Sequence, residues 1–82
     1  FKVYPNPVKN RLTITYRLEK AQAITARLYT LDGKLVSTLV NEQQSAGSHT
    51  SATMIGQSAE RGVYLLQVTF DAQSFTKKLL VK

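Results

Sequence analysis

Arg11-Leu12-Thr13-Ile14-Thr15-Tyr16-Arg17-Leu18 alternates polar and apolar side chains without a break. A repeat of two residues puts one set of side chains on each face of an extended chain, so this stretch reads as a half-buried β-strand with Leu12, Ile14, Tyr16 and Leu18 inward. Its threonines, isoleucine and tyrosine suit a pleated surface. Ile24, Ala26 and Leu28 repeat the pattern, and Tyr29 breaks their phase and is placed outside. Residues 34–40, 49–54, 63–70 and 74–81 read as further strands. In 63–70 the inward set is Tyr64, Leu66, Val68 and Phe70; in 49–54, Thr50, Ala52 and Met54 share a face.

Turn chemistry separates these runs. Pro5-Asn6-Pro7 interrupts pairing, because proline has no N–H and restricts the residue before it. Asp32-Gly33 is the strongest hairpin signal. Gly47 and Gly62 each stand just before a strand, and Asp71-Ala72-Gln73 joins the last two strands as a hairpin. Residues 19–23 and 41–46 carry a helical hint, too short to hold alone. About six or seven short strands with turns every 8–12 residues are the pattern of an antiparallel β-sandwich. The spacing leaves no room for βαβ crossovers.

The 82 residues are enough for one domain, 1–82. There is no cysteine, which removes disulfides, thiolate metal sites and a cysteine nucleophile. No apolar run approaches the about 18 residues of a membrane span, so no integral membrane segment is expected. Eleven Lys and Arg against five Asp and Glu give a formal charge of +6. The cations are scattered and lack interleaved aromatics, so they read as a solvated basic surface rather than a nucleic-acid site.

Catalysis finds no constellation. The single histidine, His49, is followed and preceded by residues that point to the opposite face of its strand, so Ser48 is not its partner in a triad. The five carboxylates are dispersed and supply neither a metal cluster nor a facing acid pair. No glycine-rich phosphate loop is present, and no cofactor is implied. The chain reads as a non-enzyme. The last run, Thr76-Lys77-Lys78-Leu79-Leu80-Val81-Lys82, is an edge-strand candidate, with main-chain groups open to a partner and lysines that discourage indiscriminate pairing.

Taken in order, the punctuating residues resemble a known family. Val3-Tyr4-Pro5-Asn6-Pro7, Leu12-Thr13-Ile14, Leu28-Tyr29-Thr30-Leu31-Asp32-Gly33-Lys34-Leu35-Val36, Ala46-Gly47-Ser48-His49, Gly62-Val63-Tyr64-Leu65 and the run from Thr76 to Lys82 are similar to the segments of the type A C-terminal sorting domains of the type IX (Por) secretion system of Bacteroidetes. Thr30 and Leu31-Asp32 depart mildly from the family's commoner residues, and Ala59-Glu60-Arg61 is a charged form of the usual lead-in.

The resemblance implies a seven-stranded immunoglobulin-like sandwich at the C-terminus of a larger secreted protein, with an N-terminal cargo domain in the same chain. It implies passage through the periplasm and outer membrane of a Gram-negative bacterium to the cell surface. The implied partners are the type IX outer-membrane translocon, its shuttle proteins and a sortase-like peptidase that removes the tail and attaches cargo to anionic lipopolysaccharide. The residues it marks for recognition are Pro5, Asn6, Pro7, Asp32, Gly33, Lys34, Gly47, Gly62, Tyr64, Lys77, Lys78, Leu79, Val81 and Lys82. The segment before Pro5 is expected to be an extended cleavage region, and the last hairpin the part that is gripped. An immunoglobulin-like spacer and a carbohydrate-binding module carrying Tyr29 share the period-two pattern and stand as alternatives.

Overall fold

A computed structural model describes residues 1–5, 8–55 and 60–82. Seven strands follow one another: β1 (Lys2–Tyr4), β2 (Arg11–Leu18), β3 (Gln22–Thr30), β4 (Leu35–Gln44), β5 (Gly47–Met54), β6 (Gly62–Phe70) and β7 (Gln73–Val81). They form two antiparallel sheets, one ordered β1-β2-β5 and the other β4-β3-β6-β7. This is an immunoglobulin-like sandwich in which the fourth strand has left β5 to pair with β3.

The core follows from the alternation. Leu12, Ile14, Tyr16 and Leu18 of β2 face Ile24, Ala26 and Leu28 of β3, Tyr64, Leu66 and Val68 of β6, and Leu79 and Val81 of β7. Val8 and Ile55 close the core from the loops, and neither exposes any surface. Among the described residues the buried side chains are all apolar or tyrosine, and the Tyr16 and Tyr64 hydroxyls both find hydrogen-bond partners.

Two sequence readings change, and the structure adds the phase of β5, whose Thr50, Ala52 and Met54 share a face as expected. β5 turns His49, Ser51 and Thr53 toward the core, while Thr50, Ala52 and Met54 face solvent, and Met54 is 66% exposed. The register decides this: Ile14 stands opposite Ser51 and Tyr16 opposite His49, and directly opposed residues share a face. Residues 41–44 extend β4 and are not helical; Val40 opposes Ala26 and Gln44 opposes Gln22. The segment before Pro5 is paired, with Val3 opposite Ile14, and so is part of the sheet and not a free extended linker.

The turns carry out their local chemistry. Gly33 N–H donates to the Thr30 carbonyl at 3.0 Å and Thr30 N–H to the Lys34 carbonyl at 2.9 Å. Gly33 has φ +92°, where a side chain would be strained, which is why glycine follows Asp32 here. Asp71 and Ala72, both at φ 55°, form the two-residue link between β6 and β7. Two positive-φ residues give the twist that antiparallel strands prefer.

Candidate recognition surface

The strand register gathers residues far apart in sequence at one end of the sandwich. Thr30 opposes Tyr64, Tyr64 opposes Leu79, and Gly62 opposes Val81. The 31–34 turn, the start of β6 and the end of β7 are therefore neighbours. Tyr4 and Pro5 reach the same end, since Tyr4 pairs with Thr13. Asp32, Gly33, Lys34, Gly62, Tyr64, Leu79, Val81 and Lys82 converge there, while Gly47, opposite Leu18, lies at the other end. Lys77 and Lys78 sit midway along β7, opposite Leu66 and Leu65. Asn6 and Pro7 lie outside the described residues.

Within this group several side chains hold the fold. The Tyr64 hydroxyl donates to the Glu60 carbonyl at 2.6 Å, four residues upstream. That is the tyrosine corner of immunoglobulin-like strands, which ties the entering loop to the core. Gly62 stands at φ +151°, a conformation side-chain-bearing residues rarely adopt, and the Tyr64 ring lies 3.9 Å from where its Cβ would be. Leu79 and Val81 are core residues. The Asp32 carboxylate accepts a hydrogen bond from the Thr30 hydroxyl, and Thr30 Oγ1 accepts from Lys34 N–H at 3.0 Å. The Thr30 bond, with a backbone bond and the Lys34 charge adding to it, holds the Asp32 carboxyl below the usual carboxylate range against a small opposing desolvation.

β7 is one of the two edge strands of its sheet, β4 being the other. Its end is clamped: Val8 N–H donates to the Leu80 carbonyl at 2.7 Å, and Lys82 N–H donates to the Val8 carbonyl at 2.8 Å. Val8 thus makes a parallel bridge to Val81. Main-chain groups of alternate residues point the same way along a strand, so Ser74, Thr76 and Lys78 turn theirs to the side away from β6. Lys77 shares the core-facing side with Leu66 yet remains exposed, an inward-phase charge that deters edge-to-edge stacking. Lys9, Arg61 and Lys82 line a cleft over Leu80 and Val81. Neither Lys9 nor Arg61, nor the Val8 clamp, was marked by sequence reasoning; Val8 as an apolar residue just after a proline pair is the one available signal.

At the opposite end an aromatic series crosses between the sheets. His49 stacks on Tyr16 at 5.5 Å, Tyr16 meets Phe70 at 6.2 Å, Phe70 meets Phe75 at 5.3 Å, and Phe75 meets Phe1 at 5.5 Å. The Tyr16 hydroxyl donates to Gln44 Oε1. Burial raises the Tyr16 pKa, with the Gln44 bond opposing and the Glu42 charge reinforcing. His49 Nε2 lies 2.7 Å from the Ser45 carbonyl oxygen. This fixes the imidazole to backbone and tyrosine.

Among the described residues no three His, Cys, Asp or Glu side chains converge on a metal-sized site, and no helix is long and apolar enough to cross a membrane. The fold presents a clamped edge strand, a basic end and two open sheet faces. These features define a small immunoglobulin-like β-sandwich domain.

The family model described as the secretion system C-terminal sorting domain matches residues 2–82. The chain belongs to that family, the C-terminal sorting signals of the type IX secretion system. Membership implies interaction with that system and export to the outer membrane or cell surface. No curated protein and no solved structure matches the chain.

Proposed function

We propose that this domain is the address label of a cargo protein that precedes it in the same chain, and that the secretion machinery reads it through the β6–β7 hairpin. The observation that carries the reading is the position of β7. It is an edge of the four-stranded sheet, its inward residues Leu79 and Val81 anchor it in the core, and its lysines Lys77 and Lys78 are exposed. An edge strand offers directional main-chain hydrogen bonds to an added strand. The translocon and shuttle proteins engage this folded tail, and a sortase-like peptidase then removes it and attaches the cargo to anionic lipopolysaccharide. Because Lys2–Tyr4 is paired with β2, cutting falls before β1 or follows its detachment.

Deleting residues 76–82 does not test the grip alone, because it also strips Leu79 and Val81 from the core. Thr76→Pro does. The Thr76 N–H points away from β6, so proline removes an edge donor and leaves the β6–β7 ladder intact. In a type IX-competent host, a reporter fused to this chain is expected at the cell surface, and the same reporter without it in the periplasm. Thr76→Pro is expected to lower export at least fivefold with thermal unfolding little changed. Equal export with and without the domain overturns the address-label reading; unchanged export of the folded proline variant overturns reading at the β7 edge.

A further inference from the structure

The outer face of the four-stranded sheet has an apolar centre that the core does not use. Leu35, Tyr29, Leu65 and Lys78 stand directly opposite one another across all four strands. Val63 and Leu80 form the next row toward the basic end. Leu35 is 50% exposed and Leu80 38% exposed, and Tyr29, Val63 and Leu65 are half-buried without joining the core cluster. A shallow depression lies over Tyr29, Leu65, Gln67 and Thr76.

Strand formation alone does not demand such a face. The centre of the other sheet's outer face is built from Thr13, Thr15, Thr50 and Ala52 with Lys2 and Arg17 beside them, and its exposed apolar side chains, Tyr4 and Met54, stand apart at its margin. Contiguous exposed apolar surface on a small domain marks an interaction site, and tyrosine beside arginine is the composition of interface centres.

The surrounding charge selects the partner. Arg27 lies next to Tyr29 in the adjoining row and Lys78 ends the apolar row, and the paired positions of this face carry no carboxylate. In the flanking turns Lys34 stands beside Asp32 and Arg61 beside Glu60, so the excess of positive charge rests on Arg27 and Lys78. A second copy would bring Arg27 and Lys78 against like charges. We infer that this face docks on a partner protein of the export machinery whose surface has an apolar patch rimmed by carboxylates. The site is distinct from the β7 edge, though both meet at Lys78 and Leu80. The inference rests on the proposed sorting role.

The test uses the reporter fusion in a type IX-competent host. Tyr29→Thr with Leu65→Thr keeps strand-forming residues and removes the apolar centre. Arg27→Glu with Lys78→Glu reverses the rim. Thr13→Ala with Thr50→Ala is the control on the other sheet. Each purified domain is first melted to establish that it folds. The first pair is expected to slow export at least tenfold, the second at least fivefold, and the control less than twofold. Failure of the unaltered fusion to be exported refutes the sorting role itself. Export of the unaltered fusion together with unchanged export of the folded Tyr29/Leu65 variant overturns this inference alone, as does equal loss from the control. Sedimentation of the purified domain as a dimer broken by the same pair, or binding to insoluble polysaccharide lost in Tyr29→Ala, overturns the assignment to an acidic protein partner.

Discussion

Replacing Val8 by alanine tests the clamp on the end of β7. Val8 has no exposed surface, and its N–H and carbonyl bracket β7 through Leu80 and Lys82. Alanine keeps both main-chain bonds, so the change reports on side-chain packing alone. Two methyl groups at about 0.8 kcal/mol each give roughly 1.6 kcal/mol of lost transfer energy. The residual cavity brings the cost to about 2–3 kcal/mol. At about 0.05–0.15 kcal/mol per residue, an 82-residue domain has only about 4–12 kcal/mol to lose. The expected fall in Tm is about 10–20 °C. Urea unfolding followed by circular dichroism is expected to show a lower midpoint with an unchanged slope. In a cycle with Val81→Ala, neighbours across one bridge are expected to couple by about 0.5 kcal/mol or more. A loss below about 0.5 kcal/mol, or strict additivity, would refute the claim that Val8 packs on the end of the last strand.

Three further substitutions probe the corner, the turn and the edge. Tyr64→Phe keeps the ring and removes the hydrogen bond to Glu60, with an expected loss of about 0.5–1.5 kcal/mol by urea titration; no loss refutes the corner. Thr30→Val removes the bond that depresses the Asp32 pKa. Because the folded carboxyl titrates below its unfolded value, its stabilisation is present at neutral pH and lost as pH falls through the folded pKa. In Thr30→Val the Asp32 carboxyl is expected to titrate higher by NMR, and the acid-side loss attributable to it to shrink; an unmoved titration refutes the assignment. Lys77→Leu places an apolar side chain beside Leu66 and is expected to raise monomer stability while promoting concentration-dependent association, read by light scattering.

How far the sequence carried depends on contrast between neighbouring residues. β2 was legible to its limits because Leu12, Ile14, Tyr16 and Leu18 are separated by threonines and arginine. β5 was legible as a strand but not in phase. His49, Ser51 and Thr53 are no more apolar than Thr50, Ala52 and Met54, so only pairing with β2 decides which set turns in. Asn41–Gln44 looked helical because the end of an edge strand over solvent has no apolar set to alternate. The 31–34 turn was readable because aspartate-glycine chemistry is local. The convergence of that turn with Gly62, Val81 and Lys82 was not, since it depends on registers across three strands. The Val8–Val81 bridge joins residues far apart in sequence and leaves no local trace.

A β-strand has three directions, and β7 uses each differently. Inward, Leu79 lies opposite Tyr64, and Val81 lies opposite Gly62 and against Val8. Outward, Lys78 and Leu80 contribute to the apolar face and its basic rim. Sideways, Ser74, Thr76 and Lys78 present main-chain groups along the open edge. The inward set makes the strand inseparable from the fold, because removing it takes core residues with it. A partner that reads the other two directions reads them only when the domain is folded, so the proposed reading makes the label a surface and not a linear peptide. On the proposed reading the roles of the motif residues separate: Gly62, Tyr64, Leu79 and Val81 build the surface, and the lysines with the outward face are left to be read. It follows that shortening the tail abolishes the surface and its support together. Leu65→Thr acts outward alone, Thr76→Pro removes a sideways donor together with one side chain at the outward depression, and the difference between the two separates the edge from the face while both leave the inward set in place.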